Sequence, residues 1–152
     1  MAGLTNKGIA HLLHATFRRT ALPTNYYLAL VTNDMVPTED TNTLGELTEI
    51  VAGTGYIAGG KMLTPGPTYF GDVNEDDTGN LASVQILDVA WTGTGGPIPG
   101  SGNGASYAVL TDDNVTVWLR EVYAFWPVGT NVSVVDGQTM TFQNLNLRGT
   151  QV

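Results

Sequence analysis

Residues 105–111 read ASYAVLT, Asp112-Asp113-Asn114 follow, and residues 115–126 read VTVWLREVYAFW. Two runs rich in β-branched and aromatic residues flank three residues whose short polar side chains bond their own backbone, which predicts strand, turn, strand. Val115, Val117 and Leu119 occupy every second position, the period of a half-buried strand. This stretch sets the reading of the whole chain as mainly β.

Working outward toward the C-terminus, Asp136-Gly137 is a strong hairpin signal between Val132–Val135 and Thr139–Leu147. Met140 and Phe142 share one phase, whereas Leu145 and Leu147 take the other, so a β-bulge is expected near Gln143-Asn144. Toward the N-terminus, Leu81–Trp91 (LASVQILDVAW) reads as strand and is joined to residue 105 by the glycine-rich Thr92–Gly104. The glycine spacing in GTGGPIPGSGNG imitates a phosphate loop. Such a loop must open a helix, and a strand follows here with no Lys nearby, so a flexible connection is expected. Two long polar or Gly/Pro-rich connections, Asn33–Glu49 and Gly53–Asn80, flank the strand-like Tyr26–Thr32 only on its C-terminal side. Connections this long tend to be functional or to order against something, and ordering against neighbours is the expectation.

The segment 1–20 departs from this pattern. Thr5 or Asn6 can cap a helix in which Ile9, Leu12, Leu13 and Phe17 recur at helical spacing. Lys7, His11, His14 and Arg18 fall on another face, Arg18 and Arg19 suit the C-terminal end of the dipole, and Pro23 stops the helix. The expected architecture is one domain over 1–152: a helix within 1–20, then a β body over 21–152. Its fold class is mainly β, an antiparallel β-sandwich or barrel with one N-terminal α-helix and long loops.

With 152 residues and no cysteine, the chain can bury a core without disulfides, and thiolate metal sites and cysteine nucleophiles are excluded. Only 13% of residues are charged, about half the usual share, and six basic against fourteen acidic residues give −8. Nucleic acid is therefore not expected as a partner. No apolar run reaches a membrane span and no basic-then-apolar leader is visible, so a soluble protein off the membrane is expected. Charge is unevenly placed: residues 1–20 hold Lys7, Arg18 and Arg19 and no acid, whereas Asp34 to Asp88 holds ten acids against Lys61. Polar surface must come largely from 21 Thr, 11 Asn and 19 Gly. Charge depletion of this kind suits an interface core as well as a plain Thr/Asn-surfaced β protein.

Chemistry has little to stand on. His11 and His14 have metal-compatible spacing but no third ligand close in sequence, so a surface or interface pair is favoured. Asp72, Asn74 and Asp76 alternate like the start of a calcium loop. The sixth and twelfth places hold Asp77 and Ser83 instead of Gly and Glu, so an EF-hand fails and a solvated acidic turn is favoured. Both histidines lie together on the first helix, leaving no separate base for a triad. No enzyme and no cofactor are expected.

Several motifs in combination resemble small tailed-bacteriophage virion structural proteins, of the capsid-decorating or fibre-like kind. They are Ala21-Leu22-Pro23-Thr24 with Tyr26–Thr32, then Pro37-Thr38-Glu39-Asp40-Thr41-Asn42-Thr43, and Leu47-Thr48-Glu49-Ile50 running to Gly53-Thr54-Gly55-Tyr56. Gly95-Gly96-Pro97-Ile98-Pro99, Tyr107–Asn114, Arg120–Ala124 and Asp136–Thr139 continue the likeness along nearly the whole chain. The resemblance implies a virion location and assembly with other virion proteins, the major capsid protein or tail proteins. A capsid decoration (cement) protein leads, and a tail, fibre-attachment or neck adaptor is the alternative. A carbohydrate-binding β-sandwich using Trp91, Trp118 and Trp126 is third, though the apolar runs around Trp118 and Trp126 suggest core packing. Self-association, as a homotrimer, is also expected. In that picture the apolar row of the helix packs on the β body, and Lys7, His11, His14 and Arg18 face acids of a neighbour from Asp34–Glu49 or Asp72–Asp77.

Overall fold

The computed structural model describes residues 3–150; the first two residues of the 1–20 segment and the last two of the 1–152 domain lie outside the described residues. The chain is mainly β with one helix near the N-terminus, and its antiparallel sheets stack as a β-sandwich-like fold. In order, the elements are β1 (Gly3–Leu4), α1 (Asn6–Arg18), β2 (Tyr26–Val31), β3 (Lys61–Leu63), β4 (Asn74–Asp76) and β5 (Leu81–Ile86). They continue with β6 (Val89–Thr92), β7 (Ala105–Thr111), β8 (Val122–Val132), β9 (Thr139–Phe142) and β10 (Leu145–Thr150). Short 3-10 turns lie at Leu44–Glu46 and Val117–Leu119.

The central sheet has the order β1-β8-β7-β2-β3, and a three-stranded sheet β10-β5-β4 and a pair β6-β9 accompany it. Leu28, Leu30, Ala108, Leu110, Ala124 and Trp126 meet Ile86, Val89, Trp91, Met140, Phe142 and Leu145 in the main core. The other face of the central sheet is also covered. Ala29, Val31, Val109, Val122 and Phe125 pack beneath Leu44 and Leu47. Burial on both faces explains why β2 reads YYLALV with no polar alternation, a pattern otherwise typical of sheets sandwiched between helices.

The first long connection supplies that second cover through Leu44 and Leu47, and the second sends Tyr56 and Leu63 into the main core, which corrects the expectation that the connections order only against neighbours. Leu44, Ile50, Tyr56 and Leu63 are all buried, and Val31 bridges Glu49 while Thr43 bridges Glu121. A buried polar knot fixes the fold-over. The Tyr56 hydroxyl donates to Glu49 Oε1 at 2.6 Å and accepts the Leu30 N–H at 2.9 Å. Arg120 donates to the Gly59 and Asn114 carbonyls, each at 3.0 Å, and its guanidinium lies 3.7 Å from the Tyr27 ring centre. Burial pushes the Glu49 carboxyl above its ordinary value, partly offset by the bonds from Tyr56 and Gly59 and by Arg120. The same stretch contains β3 and β4, so 53–80 is only partly irregular.

Four strand-level expectations change. Leu81–Trp91, expected as one strand, is two: β5 pairs with β10 and β4, and β6 pairs with β9 in a separate sheet. Val115–Leu119 is no strand: Asp112 Oδ1 accepts from both Asn114 and Glu121 N–H, and Arg120 anchors inward, which closes residues 112–121 into one long loop between β7 and β8. Asp136-Gly137 does turn, with Gly137 at φ 79°, but β9 leaves it to pair with β6, while Val134 bridges Ile98. The phase slip after Phe142 is a change of sheet, not a bulge. Asn144 takes a left-handed φ of 60°, and β10 pairs with β5 from Leu145 onward. The glycine-rich connection is packed, too, since Ile98 within it is fully buried.

Candidate docking surface on the N-terminal helix

Helix α1 is held at its start. Thr5 is completely buried, accepts the Gly8 N–H at 3.0 Å as N-cap, and donates its hydroxyl to the Val122 carbonyl. Its own N–H donates to the Tyr123 carbonyl, and Asn6 bonds Glu39 and Asp40 of the long connection. Gly8 then lies directly on β8. A Cβ at this position would fall deep inside contact distance of the Tyr123 carbonyl oxygen, so only glycine lets the helix approach this closely.

From that anchor the helical spacing sets everything else. At about 100° per residue, Gly8, His11 and Ala15 make the stripe that faces the body. His11 stacks on Tyr123 with ring centroids 4.5 Å apart and 21° between planes. The Tyr123 hydroxyl is 3.2 Å from His11 Nδ1. Burial above all, with Asp112 and Glu121 adding to it, holds the Tyr123 phenol far above its ordinary value. His11 Nε2 is buried with no partner among the described residues. Lys7 pairs with Glu121 at 3.0 Å, both side chains some 40% exposed.

The apolar face of α1 thus points outward, against expectation. Ile9, Leu12, Leu13 and Phe17 are exposed by 45, 52, 53 and 75%. The row does not pack on the β body, because Gly8 docks the helix along its border with the basic face. Of the residues expected to meet a partner, Lys7 and His11 are taken up by the body, while His14 and Arg18 are exposed. Leu22, just past the helix, is 59% exposed and adds to the apolar surface.

Beside α1 runs an apolar groove of about 480 Å³. Leu12 of the helix lines it together with Phe70 and Val73, and Val84 and Leu147 contribute from β5 and β10. Glu75, Asp76 and Asp77, all exposed, line an adjoining concavity that shares Val73, Ala82 and Gly149 with the groove; Arg148 lines the groove itself. Sequence reasoning missed this groove because its walls come from segments far apart in the chain.

The remaining candidates are placed elsewhere. Asp72, Asn74 and Asp76 are exposed at the β4–β5 hairpin, where Asp76 Oδ1 accepts the Thr78 and Gly79 N–H groups and Asn74 donates to the Asp72 carbonyl. Among the described residues no three His, Cys, Asp or Glu gather as a metal would need. Trp91 and Trp126 are core residues, with Trp126 Nε1 donating to the Asn146 carbonyl at 2.9 Å. Trp118 is 66% exposed on the 112–121 loop, which corrects its expected place in the core. Among the described residues no helix is long and apolar enough to cross a membrane. Comparison with known proteins found no matching family model, curated relative or solved structure.

Proposed function

We propose that the chain is a structural subunit of a bacteriophage particle, a decoration (cement) protein of the assembled head. The observation that carries this reading is the uncovered apolar row of α1. The helix is pinned to the body by Thr5, Gly8 and His11, so the row is presented on a rigid base, and contiguous apolar surface of this kind marks an interaction site. A charge-poor Thr/Asn/Gly surface and the resemblance to virion proteins support the same reading. A protein that binds only the assembled shell stabilises it by mass action, which needs contact surface and no chemistry.

The test is quantitative mass spectrometry of purified particles that carry the chain. A copy number comparable with that of the shell subunit is expected. A few copies per particle would move the protein to the tail or neck, and absence from particles would end the virion reading.

A further inference from the structure

We infer that the apolar row of α1 is covered by a second copy of this chain, whose groove between α1 and the β5/β10 sheet receives it. This deepens the assembly reading and names the partner of that surface. Three observations converge. The first is shape: among the described residues nothing covers the ridge of Leu12, Leu13 and Phe17 that α1 offers, and nothing fills the groove, an apolar concavity. The second is charge. Lys7 is already paired with Glu121, which leaves Arg18 and Arg19 as the exposed cations of the helix, at its C-terminal end. The concavity that adjoins the groove at Val73, Ala82 and Gly149 is lined by Glu75, Asp76 and Asp77, against the single cation Arg148 in the groove. A partner for this ridge must combine an apolar slot with an acidic border, and the chain itself carries both.

The third observation is adjacency. Leu12 belongs to the ridge and also walls the groove, so each copy presents donor and acceptor surfaces side by side. Two copies can then exchange ridges reciprocally, and a threefold ring can pass them around. Either arrangement closes and leaves no ridge uncovered. The ion pairs at the border select register and orientation, since exposed pairs add little affinity.

The absence of cysteine makes the test clean, because single-cysteine variants can link only between chains. Light scattering of the purified full chain across a dilution series should give a dimer or trimer that Leu13→Glu converts to monomer, with circular dichroism unchanged. The expected weakening is at least about tenfold in dissociation constant, the scale of one buried leucine. Phe17→Cys and Val73→Cys proteins, mixed and treated with a short bismaleimide, should give the mixed linked species above either self-linked one. Wild-type protein monomeric at every concentration overturns the inference, and so does linkage of Phe17→Cys only to itself, which would mean ridge on ridge. Failure here is distinct from failure of the virion reading: a monomer still found on particles removes the self-contact and keeps the location, and an oligomer missing from particles does the reverse.

Discussion

Strand β8 opens with Val122-Tyr-Ala-Phe-Trp126, and helix α1 carries Ile9, Leu12, Leu13 and Phe17; both are strongly apolar, yet the strand segment is buried throughout and the helix row is exposed. The difference lies in what surrounds each. β8 has sheet neighbours on both edges and a cover on both faces, so every side chain finds an apolar contact whichever way it points. α1 touches the body along the stripe of Gly8, His11 and Ala15, and at Gly8 the helix backbone lies directly on β8. A close backbone approach has taken the place of side-chain packing, and the apolar row is turned away as a consequence.

Truncating matched residues separates the strand from the helix most strongly. Phe125→Ala in the strand should cost about 3–5 kcal/mol, as large core deletions do, whereas Phe17→Ala should stay within about 0.5 kcal/mol in monomeric protein. Chemical denaturation of both variants reads the contrast directly. Equal losses would mean that the helix row is packed after all.

Next in size is the glycine contact. Gly8→Val forces a side chain into the Tyr123 carbonyl and should cost about 1–3 kcal/mol or undock the helix, seen as faster amide exchange through residues 6–18 with the β core still protected. Unchanged exchange in α1 would contradict the close approach. Lys7→Ala, which removes an ion pair about 40% exposed, should cost no more than about 1 kcal/mol and less at high salt.

The smallest effect concerns the polar knot under the long connection. Glu49 has its folded-state pKa raised by burial, so the folded chain binds that proton more tightly than the unfolded one. Its contribution to stability therefore grows as pH falls through the raised folded value toward the ordinary 4.5 and is lost again as pH rises. Glu49→Gln keeps an acceptor for Tyr56 and Gly59 and should flatten that part of the melting-temperature profile. A slope unchanged in the variant would assign it to another group, with Asp112, also raised by burial, next in line.

How much of this was legible depends on what a periodic pattern can say. The β runs expected at 26–32 and 105–111 were readable because burial in a sheet leaves a composition that survives any choice of partner, whereas the run expected at 81–91 divides into β5 and β6 and that expected at 115–126 is strand only from Val122. The slip between Phe142 and Leu145 was readable too, but its cause was not, since a bulge and a change of sheet produce the same sequence phase. In α1, spacing fixed which residues share a face without saying which face the fold would bury. One signal was available: Gly8 inside a helix costs about 1 kcal/mol relative to alanine and calls for a packing reason. The alternation at Val115, Val117 and Leu119 misled because Arg120 and Asp112, not the apolar residues, determine that loop. The groove and the Glu49–Tyr56 bond depend on tertiary proximity, which the chain order does not display.

Helix α1 is fastened to the body at Gly8 and His11 and presents its apolar row outward. The most direct measurement is the melting temperature of Leu13→Glu against the unaltered chain, at a dilution where both are monomeric. A surface substitution within about 0.5 kcal/mol predicts a shift of no more than about 2 °C. A fall of ten degrees or more, or loss of cooperative melting, would put Leu13 in the core and contradict the account.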